Sequence, residues 1–326
     1  MSPIRKIGVL TSGGDAPGMN AAIRAVVRVG IYHNLEVIGI KRGYTGLLEK
    51  DFLPMQNHSV SKIISLGGTI LKSSRCPQFC ESEVRKVAYH NMLEAGIDAL
   101  AVIGGDGSFR GAHALHQEFG LPVVGIPGTI DNDIYGTDFT IGYDTAINTA
   151  ISAIDKIRDT ADSHNIIFFV EVMGRDAGFI GLSTSIATGA EATLIPEVES
   201  DIQALCDYLE YGRRKNKTSG IVIVAEGCRV GSATEVAAKV KEILPAYETR
   251  VTTLGHIQRG GSPSCSDRVL ASVLGYGAVV ALLDGLSDVM VGEINGEIVH
   301  TPFVKAIANH NALNRNWVKI AKILSM

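Results

Sequence analysis

The chain contains little cysteine, and the cysteines it has form no recognisable pattern. An odd number without CxxC or Cys/His spacing predicts neither a disulfide framework nor a structural zinc site. We therefore interpret these residues as reduced thiols of a cytoplasmic protein. The five cysteines are Cys76, Cys80, Cys206, Cys228 and Cys265.

The sequence also lacks a Lys/Arg tract, and its formal net charge is −4, so nothing in it indicates nucleic-acid binding. The first six residues, Met1 to Lys6, lack the apolar core of a signal peptide. The most apolar helical pattern, residues 273–283, is too short to span a bilayer and predicts a buried helix. Anionic ligands would have to be bound by local arginines and by backbone amides.

Apolar runs of strand length alternate with helical patterns along the 326 residues, which is long enough for two domains. Such alternation predicts βαβ units and a mainly parallel sheet. The predicted strands are Ile7–Thr11, Glu36–Ile40, Ala99–Ile103, Val123–Ile126, Ile166–Met173 and Ile221–Ala225. The predicted helices are Met19–Tyr32, Glu83–Ala95, Ser108–Phe119, Asp144–Thr160, Asp201–Arg214, Glu235–Leu244 and Arg268–Leu283.

Many of the 36 glycines fall where predicted strands end. In open parallel sheets, ligands bind outside the carboxyl ends of the strands. A glycine there lets the backbone approach a ligand closely. Several glycine-rich strand ends therefore predict a phosphate-rich ligand.

Two glycine loops each lie between a strand and a helix. The first, Thr11–Asn20, reads TSGGDAPGMN and would offer amides and a helix start to phosphate oxygens; otherwise it is a tight turn. The second, Ile103–Ser108, reads IGGDGS, and its Asp106 could hold Mg²⁺ on nucleotide phosphates or simply cap the next helix.

A third loop, Pro127–Asp133, reads PGTIDND and follows a buried strand. Two carboxylates, Asp131 and Asp133, can divide phosphoryl transfer between a proton acceptor and a metal ligand. Thr129 offers a hydroxyl to the transferring group. The alternative is an Asx-rich turn, but we favour function because two other glycine loops occur at strand ends.

Two further motifs carry arginine. VEVMGR ends at Arg175, which could form bidentate bonds to a phosphoryl group. GHIQRGGSP places His256 and Arg259 three residues apart, which suits a phosphorylated sugar, although each could be an ordinary structural or surface residue. Glu226, at the end of a predicted strand, would bind sugar hydroxyls or cap a turn.

Together, these five motifs closely resemble those of the ATP-dependent 6-phosphofructokinases of bacterial type, and the resemblance covers essentially the whole chain. It implies two similar three-layer α/β domains with the active site between them. The implied ATP-binding domain is residues 1–142 plus 257–308. The implied domain for fructose 6-phosphate is residues 143–256 plus 309–326.

The resemblance also implies a reaction, in which the γ-phosphoryl group of ATP moves to the 1-hydroxyl of fructose 6-phosphate. It implies Mg²⁺ as cofactor, with Asp106 and Asp133 as its ligands. The implied catalytic residues are Asp131 as base, with Arg175, the amide of Gly14, and Thr129. The implied ATP contacts are Gly14, Tyr44, Arg75, Cys76, Gly105, Asp106, Gly107 and Ser108. The implied sugar-phosphate contacts are Thr129, Asp131, Met173, Gly174, Arg175, Glu226, Arg250, His256 and Arg259.

A homotetramer is implied, because Arg250 matches an arginine that reaches a neighbouring subunit's substrate. An effector site for ADP or phosphoenolpyruvate is implied at a subunit interface. The matching residues are Arg24, Arg28, Arg158, Gly189, Glu191, Lys215 and Lys217.

The sequence departs from the bacterial pattern at four positions. Asn57 replaces an effector-binding arginine, Lys62 replaces an aspartate, and Cys76 replaces an aromatic residue. Ile166 replaces a second arginine that reaches the sugar phosphate, so we expect weaker sugar-phosphate binding and weak cooperativity.

Two other functions remain open at this point. A pyrophosphate-dependent relative typically carries Asp at position 107 and Lys at position 128, whereas this chain has Gly107 and Gly128, so we favour ATP. A non-catalytic sensor of nucleotide and sugar phosphate has no need for a base, and the retained Asp131 argues against it.

Overall fold

The computed structural model describes residues 4–215 and 217–325. The sequence analysis discussed residues Met1 to Lys6 for a signal peptide. Of these, Met1, Ser2 and Pro3 lie outside the described residues. The strands are β1 (Lys6–Thr11), β2 (Glu36–Ile40), β3 (Phe52–Met55), β4 (Ala99–Gly104), β5 (Val123–Pro127), β6 (Ile166–Val172), β7 (Ala192–Leu194), β8 (Gly220–Ala225), β9 (Glu248–Thr253), β10 (Val289–Ile294) and β11 (Glu297–Pro302). The helices are α1 (Met19–Tyr32), α2 (Tyr44–Glu49), α3 (Ser82–Glu94), α4 (Asp106–Phe119), α5 (Tyr143–His164), α6 (Phe179–Thr188), α7 (Ile202–Arg214), α8 (Ala233–Ile243), α9 (Cys265–Leu283), α10 (Phe303–Ala308) and α11 (Arg315–Leu324). Short 3₁₀ turns lie at Pro77–Cys80 and Gly255–Arg259.

The chain divides into two compact units. Unit 1 contains the described residues up to Ile130, then Ile134–Thr145 and Arg259–Asn311. Unit 2 contains Asp131–Asp133, Ala146–Gln258 and the described residues from Ala312 onward. Apart from the short segment Asp131–Asp133, the chain passes between units at residues 145, 258 and 311. The sequence analysis had placed these boundaries at residues 142, 256 and 308.

Unit 1 is built on a seven-stranded sheet in the order β11-β10-β5-β4-β1-β2-β3. The five central strands are parallel, and antiparallel partners β3 and β11 lie at the two edges. Parallel strands that are buried on both faces read as continuous apolar runs. This explains why β1, β2, β4 and β5 were predicted nearly to the residue.

Helices cover both faces of this sheet. A Cβ on Gly30 of α1 would touch Val37 and Ile7, so α1 lies close against the face that carries these side chains. The alternate side chains of the same strands, including Ile38 and Val102, join a core with α2, α3 and α4. Unit 1 therefore has the predicted three layers.

Helix α9 corrects one sequence prediction. It runs for 19 residues, and by length and composition alone it could cross a membrane. The argument that it is too short is therefore wrong. Its expected burial is confirmed in part, since half of its most apolar window is buried inside the structure. A Cβ on Gly275 would collide with Ala25 and with the carbonyl of Ala22, so the missing side chain allows α9 and α1 to pack closely.

Unit 2 is built on a four-stranded parallel sheet in the order β7-β8-β6-β9. Phe169 and Val222 lie on the face that packs against α7 and α8. A Cβ on Gly181 of α6 would touch Ala225 and Val172 on the other face. The predicted α/β class with mainly parallel sheets is confirmed, although the two sheets differ in strand number.

A buried carboxylate joins α9 to the start of α5. Asp267 is 1% exposed and accepts hydrogen bonds from the amide of Gly142 at 2.7 Å and from the amide and hydroxyl of Thr145. Ser264 caps α9 through the amide of Asp267, and its own amide donates to the Thr145 hydroxyl. The network satisfies backbone donors that would otherwise be buried without partners.

We predict that Asp267→Asn destabilises the protein by about 1–3 kcal/mol, because both side-chain oxygens accept backbone amides. A carboxyl keeps acceptor lone pairs on both oxygens even when protonated, whereas the NH₂ group of asparagine would face one amide with no acceptor. Burial raises the pKa of the Asp267 carboxyl despite its hydrogen bonds. The folded state therefore holds this proton more tightly, so the contribution of Asp267 to stability falls as pH rises from about 4 through the raised pKa. Asparagine does not titrate.

Urea unfolding of both proteins between pH 4 and pH 7 measures this effect. The stability difference should be largest near pH 4 and should narrow toward pH 7. Asp284→Asn, at the exposed C-terminal end of α9, is the matched control and should change stability little. A difference that widens with pH would show that the hydrogen bonds outweigh burial.

Candidate active site

The first glycine loop of unit 1 joins β1 to α1. Gly13 has φ +87°, a conformation that favours glycine, and its carbonyl accepts the Ser73 hydroxyl at 2.6 Å. A Cβ on Gly14 would collide with the guanidinium of Arg259, which donates to the carbonyl of Asp15 at 3.3 Å. The structure therefore brings Gly14 and Arg259, two of the predicted site residues, into direct proximity.

The second glycine loop joins β4 to α4 beside the first. Ser12 donates its amide to the Ile103 carbonyl at 2.9 Å, which ties the two strand ends together. Ser108 is buried, and its amide closes a turn onto the Gly105 carbonyl. Gly107 lies in the first turn of α4, and a Cβ there would meet no atom within 4 Å. The loop thus has room beside Gly107.

Asp106 is the first residue of α4 and has two different oxygens. Its Oδ2 accepts from Arg110 Nη2 at 2.9 Å and from Arg110 Nε at 3.2 Å. Its Oδ1 is buried and has no hydrogen-bond partner among the described residues. Nothing in the sequence analysis had singled out Arg110, although the four-residue spacing from Asp106 on a helix was a usable signal.

Tyr44 packs beneath the second glycine loop's Ser108 and is hydrogen-bonded to it. Its ring is 4% exposed and stacks on Phe79 with 4.1 Å between centroids, and its hydroxyl donates to the Ser108 carbonyl. Burial raises the pKa of Tyr44 well above its ordinary value. Cys76 is half-buried and packs against the same core as Tyr44, whereas Arg75 is exposed.

The third loop follows β5 and is shared by the two units. Thr129 belongs to unit 1, where its carbonyl accepts the Thr140 hydroxyl at 2.7 Å. Asp131 and Asp133 belong to unit 2, with Asn132 between them at φ +55°. The Asp131 side chain is only 4% exposed, so its carboxylate is buried.

Asp131 lies next to Arg175 in unit 2, with 3.6 Å between Oδ2 and Nε. Arg175 follows β6 at φ +50°, and its amide donates to Glu226 at 3.2 Å. Gly174 before it has φ +143°, and a Cβ there would collide with the Ala177 carbonyl. A Cβ on Gly227 would likewise collide with the Arg175 carbonyl. Glycines thus enclose the backbone that positions Arg175.

Gln258 is a residue that the sequence analysis missed. It is fully buried, and its Oε1 accepts the amide of Met173 at 2.9 Å, so it fixes the end of β6. Its Nε2 has no hydrogen-bond partner among the described residues. The neighbouring His256 is exposed, as is Arg250, which pairs with Glu248 at 2.5 Å.

Part of the predicted effector set forms one cluster in unit 2. Glu191 is buried and lies 3.2 Å from Lys217 Nζ and 3.9 Å from Arg158 Nη1. Arg158 also donates to the Thr188 carbonyl just before Gly189, which ends α6 with φ +61°. Lys215 Nζ lies 4.6 Å from the centre of the Tyr211 ring.

The other two effector candidates belong to unit 1. Arg24 and Arg28 lie one turn apart on α1, and partial burial together with the charge of Arg28 lowers the pKa of Arg24. Their proximity at one helix face agrees with the sequence analysis. It places two positive charges close together on α1.

The positions that depart from the bacterial pattern differ in exposure. Asn57 and Lys62 are exposed, whereas Ile166 is 6% exposed at the start of β6, paired with Glu248 of β9. An arginine at 166 would have to be accommodated in covered surroundings, which is costly for an unpaired charge. Ile166 is therefore part of the packing of unit 2.

The donor groups fit a nucleotide-bound Mg²⁺ and no all-protein metal cage. Among residues 4–215 and 217–325, no group of three or more His, Cys, Asp or Glu side chains could hold a metal. Mg²⁺ in nucleotide sites is usually bound by one or two carboxylates together with phosphates. The buried, unpartnered Oδ1 of Asp106 suits one such ligand.

Comparison with known proteins places this geometry in a family. A family model described as phosphofructokinase matches residues 6–282. The chain is 55% identical over 326 residues to ATP-dependent 6-phosphofructokinase 2 of Bacteroides thetaiotaomicron, covering 100% of both chains. It is 53% identical over 323 residues to ATP-dependent 6-phosphofructokinase 1 of Thermus thermophilus, covering 99% of this chain and 100% of the relative. The chain belongs to the phosphofructokinase family, and the resemblance seen in the sequence is confirmed.

Solved structures agree with this assignment. Phosphofructokinase from Saccharomyces cerevisiae matches with a TM-score of 0.89 and 36% identity over 98% of this chain, which spans 46% of the yeast chain. A pyrophosphate-dependent phosphofructokinase from Marinobacter aquaeolei matches with a TM-score of 0.85 at 21% identity, over 96% of this chain and 86% of that one. The second match supports the fold alone.

Proposed function

We propose that this protein is an ATP-dependent 6-phosphofructokinase. It transfers the γ-phosphoryl group of ATP to the 1-hydroxyl of fructose 6-phosphate, giving fructose 1,6-bisphosphate and ADP in glycolysis. The observation that carries this proposal is the nearly buried Asp131 carboxylate, 3.6 Å from the guanidinium of Arg175 at the end of β6. The full-length identity to curated ATP-dependent 6-phosphofructokinases supports it.

Asp131 is the general base in this proposal. Its carboxylate accepts the proton of the 1-hydroxyl while that oxygen forms a bond to the γ-phosphorus and the bond to the β-phosphate oxygen breaks. Burial keeps water from competing for the carboxylate. Arg175 beside it fixes the carboxylate before the substrate arrives.

Three further groups stabilise the transferring phosphoryl. The guanidinium of Arg175 and the amide of Gly14 donate to its equatorial oxygens, where negative charge spreads in the transition state. Thr129 contributes a hydroxyl to the same group. Such donors need little reorganisation where the backbone is already constrained, and in unit 2 the close backbone approaches at Gly174 and Gly227 constrain Arg175.

The proposed Mg²⁺ ligands are Asp106 and Asp133. When bound, Mg²⁺ neutralises charge on the β- and γ-phosphates and orients them. Asp106 offers Oδ1 from the first turn of α4, where the helix start also favours phosphate oxygens. The carboxylate of Asp133 is half-buried in unit 2.

The remaining contacts follow the division into units. We assign ATP binding to unit 1 and fructose 6-phosphate binding chiefly to unit 2, with Thr129 and Arg259 of unit 1 as exceptions. The proposed ATP contacts are Gly14, Tyr44, Arg75, Cys76, Gly105, Asp106, Gly107 and Ser108. The proposed sugar-phosphate contacts are Thr129, Asp131, Met173, Gly174, Arg175, Glu226, Arg250, His256 and Arg259. We expect a cytoplasmic enzyme without nucleic-acid or membrane partners.

The choice of ATP over pyrophosphate depends on Gly107 and Gly128. Substitutions at these two positions do not test it equally well. A side chain at Gly128 would press on Ile103 and Met19, each 3.1 Å from the added Cβ, so a lysine there also disturbs packing. A Cβ added at Gly107 meets no atom within 4 Å. Position 107 therefore separates the effect of charge on the nucleotide from damage to the fold.

We predict that Gly107→Asp lowers kcat/KM for ATP by about tenfold or more, because the added carboxylate would lie near phosphate oxygens of like charge. Gly107→Ala, which adds a Cβ without charge, should retain most of the activity. A coupled assay that follows fructose 1,6-bisphosphate with ATP or pyrophosphate as donor measures both. Faster turnover of the wild type with pyrophosphate would refute the ATP assignment, and no turnover with either donor would favour a sensor.

We predict that Asp131→Asn lowers kcat by about 10²–10⁴-fold, because asparagine keeps the shape but cannot accept the proton. The KM for ATP should change little. Steady-state kinetics, with circular dichroism to verify folding, measure the change. A variant that retained most of its kcat would remove Asp131 from the mechanism.

We further propose a homotetramer with an effector site for ADP or phosphoenolpyruvate. The proposed ligands are Arg24, Arg28, Arg158, Gly189, Glu191, Lys215 and Lys217. The support is a cluster in which Glu191 holds Arg158 and Lys217 together, so an anion must share these cations with a resident carboxylate. Sedimentation equilibrium tests the assembly.

We predict that millimolar ADP or phosphoenolpyruvate shifts the half-saturating concentration of fructose 6-phosphate, and that Lys217→Met reduces this shift several-fold. The reason is that a charge-assisted bond to an anion is among the stronger polar contacts. Saturation curves with and without effector measure it. Superimposable wild-type curves would mean that the cluster is only a structural ion pair.

A further inference from the structure

Arg110 holds one of the proposed metal ligands in unit 1. Its Nη2 and Nε both donate to Asp106 Oδ2, at 2.9 and 3.2 Å, from one helical turn further along α4. The arginine side chain is 60% exposed, whereas that of Asp106 is 27% exposed. The cation is therefore on the solvent side of the carboxylate.

The two oxygens of Asp106 are left in different states by this contact. Oδ2 is occupied by the guanidinium, while Oδ1 is buried and has no hydrogen-bond partner among the described residues. A buried carboxylate oxygen without a partner is unfavourable unless a cation or donor arrives. Oδ1 is thus suited to a metal. Among the described residues, Arg110 is the cation that forms an ion pair with this carboxylate.

A divalent cation at Asp106 and the guanidinium of Arg110 would repel each other across one carboxylate group. A unit charge a few Å from a divalent cation changes its binding by about tenfold even when water screens the pair. The contrary effect, orientation of the carboxylate by the arginine, is smaller because exposed pairs at this spacing contribute little. Repulsion should therefore dominate.

We infer that Arg110 is a resident counter-cation of Asp106, which keeps a divalent cation off this carboxylate until the cation arrives together with nucleotide phosphates. The inference rests on the proposed role of Asp106 as a metal ligand. Phosphates would supply negative charge that offsets the guanidinium, so Arg110 opposes the bare metal more than the metal–nucleotide complex. Arg110 acts through Asp106 and makes the site favour a divalent cation that arrives with the nucleotide over one that arrives before it.

The test measures Mn²⁺ binding to the nucleotide-free protein by the loss of the free Mn²⁺ electron paramagnetic resonance signal. Arg110→Gln should bind Mn²⁺ about tenfold more tightly than the wild type, and Arg110→Lys, which keeps the charge, should resemble the wild type. Asp106→Asn in the Arg110→Gln background should abolish the gain. With ATP present, the difference between wild type and Arg110→Gln should shrink.

Arg214→Gln is the matched control. Arg214 pairs with Glu210 at the same four-residue spacing at 3.4 Å on α7, and it is also exposed, so its removal changes the net charge equally. It should leave Mn²⁺ binding unchanged. Thermal unfolding of Arg110→Gln checks that the fold is intact.

Unchanged or weaker Mn²⁺ binding by a folded Arg110→Gln protein would overturn the inference, and weaker binding would mean that the arginine orients the carboxylate. A gain that survives Asp106→Asn would also overturn it. Failure of the proposed function is distinguishable, because it would appear as absent turnover of ATP and fructose 6-phosphate. The Mn²⁺ measurement does not depend on turnover.

Discussion

The proposed chemistry of unit 1 depends on the close approach of two strand-end backbones that leave no room for side chains. A Cβ on Gly104 would lie 2.5 Å from both the Ser12 carbonyl and the Ser108 hydroxyl. Because β1 and β4 are parallel neighbours, their carboxyl ends meet at one edge of the sheet, and the Ser12–Ile103 hydrogen bond joins them there. Two loops rich in amides are thereby held side by side, which is what a polyphosphate requires.

Unit 2 also uses a loop at the carboxyl end of a strand, but there the loop positions a side chain. The loop after β6 must aim a charged side chain instead of amides, and it does so with a non-glycine residue, Arg175, in a left-handed conformation. Such a conformation costs free energy, of order 1–3 kcal/mol, and persists only where the surroundings enforce it. Gly174, Gly227 and the hydrogen bond to Glu226 provide that enforcement. The strain is therefore located at the residue that contacts Asp131.

The sequence predicted the buried part of the fold well, for a physical reason. Central parallel strands such as β4 are apolar on both faces, so their limits are visible in composition alone. The edge strand β9 reads ETRVTT, in which only Val251 is apolar, so it was missed. The hairpin of β10 and β11 was missed as well, although Asn295 and Gly296, both at positive φ, form a recognisable hairpin turn signal between them.

For the site residues, the sequence shows which residue types occur, but it does not show which partners their side chains contact or hydrogen-bond. The motif around Arg259 was visible, yet its contact with Gly14 depends on residues far apart in the chain. Gln258 lies inside that same motif and gave no signal, because an amide that fixes a backbone looks like any surface glutamine. Burial and hydrogen bonding, which only the fold determines, distinguish it.

The charged groups of the proposed sites share one property. Several charged side chains that we propose to contact ligands already form ion pairs within their own unit: Asp106 with Arg110, Asp131 with Arg175, and Glu191 with Lys217. A ligand at such a site exchanges partners instead of meeting a bare charge, so the net gain per contact is smaller than for an unpaired group. The resident pairs also keep buried carboxylates such as Asp131 and Glu191 compensated in the absence of ligand, which an isolated buried charge could not be. Because the carboxylates of Asp131 and Glu191 each lie beside a cation, stability and binding constrain the same residues, and the arginines and lysines of these sites serve both.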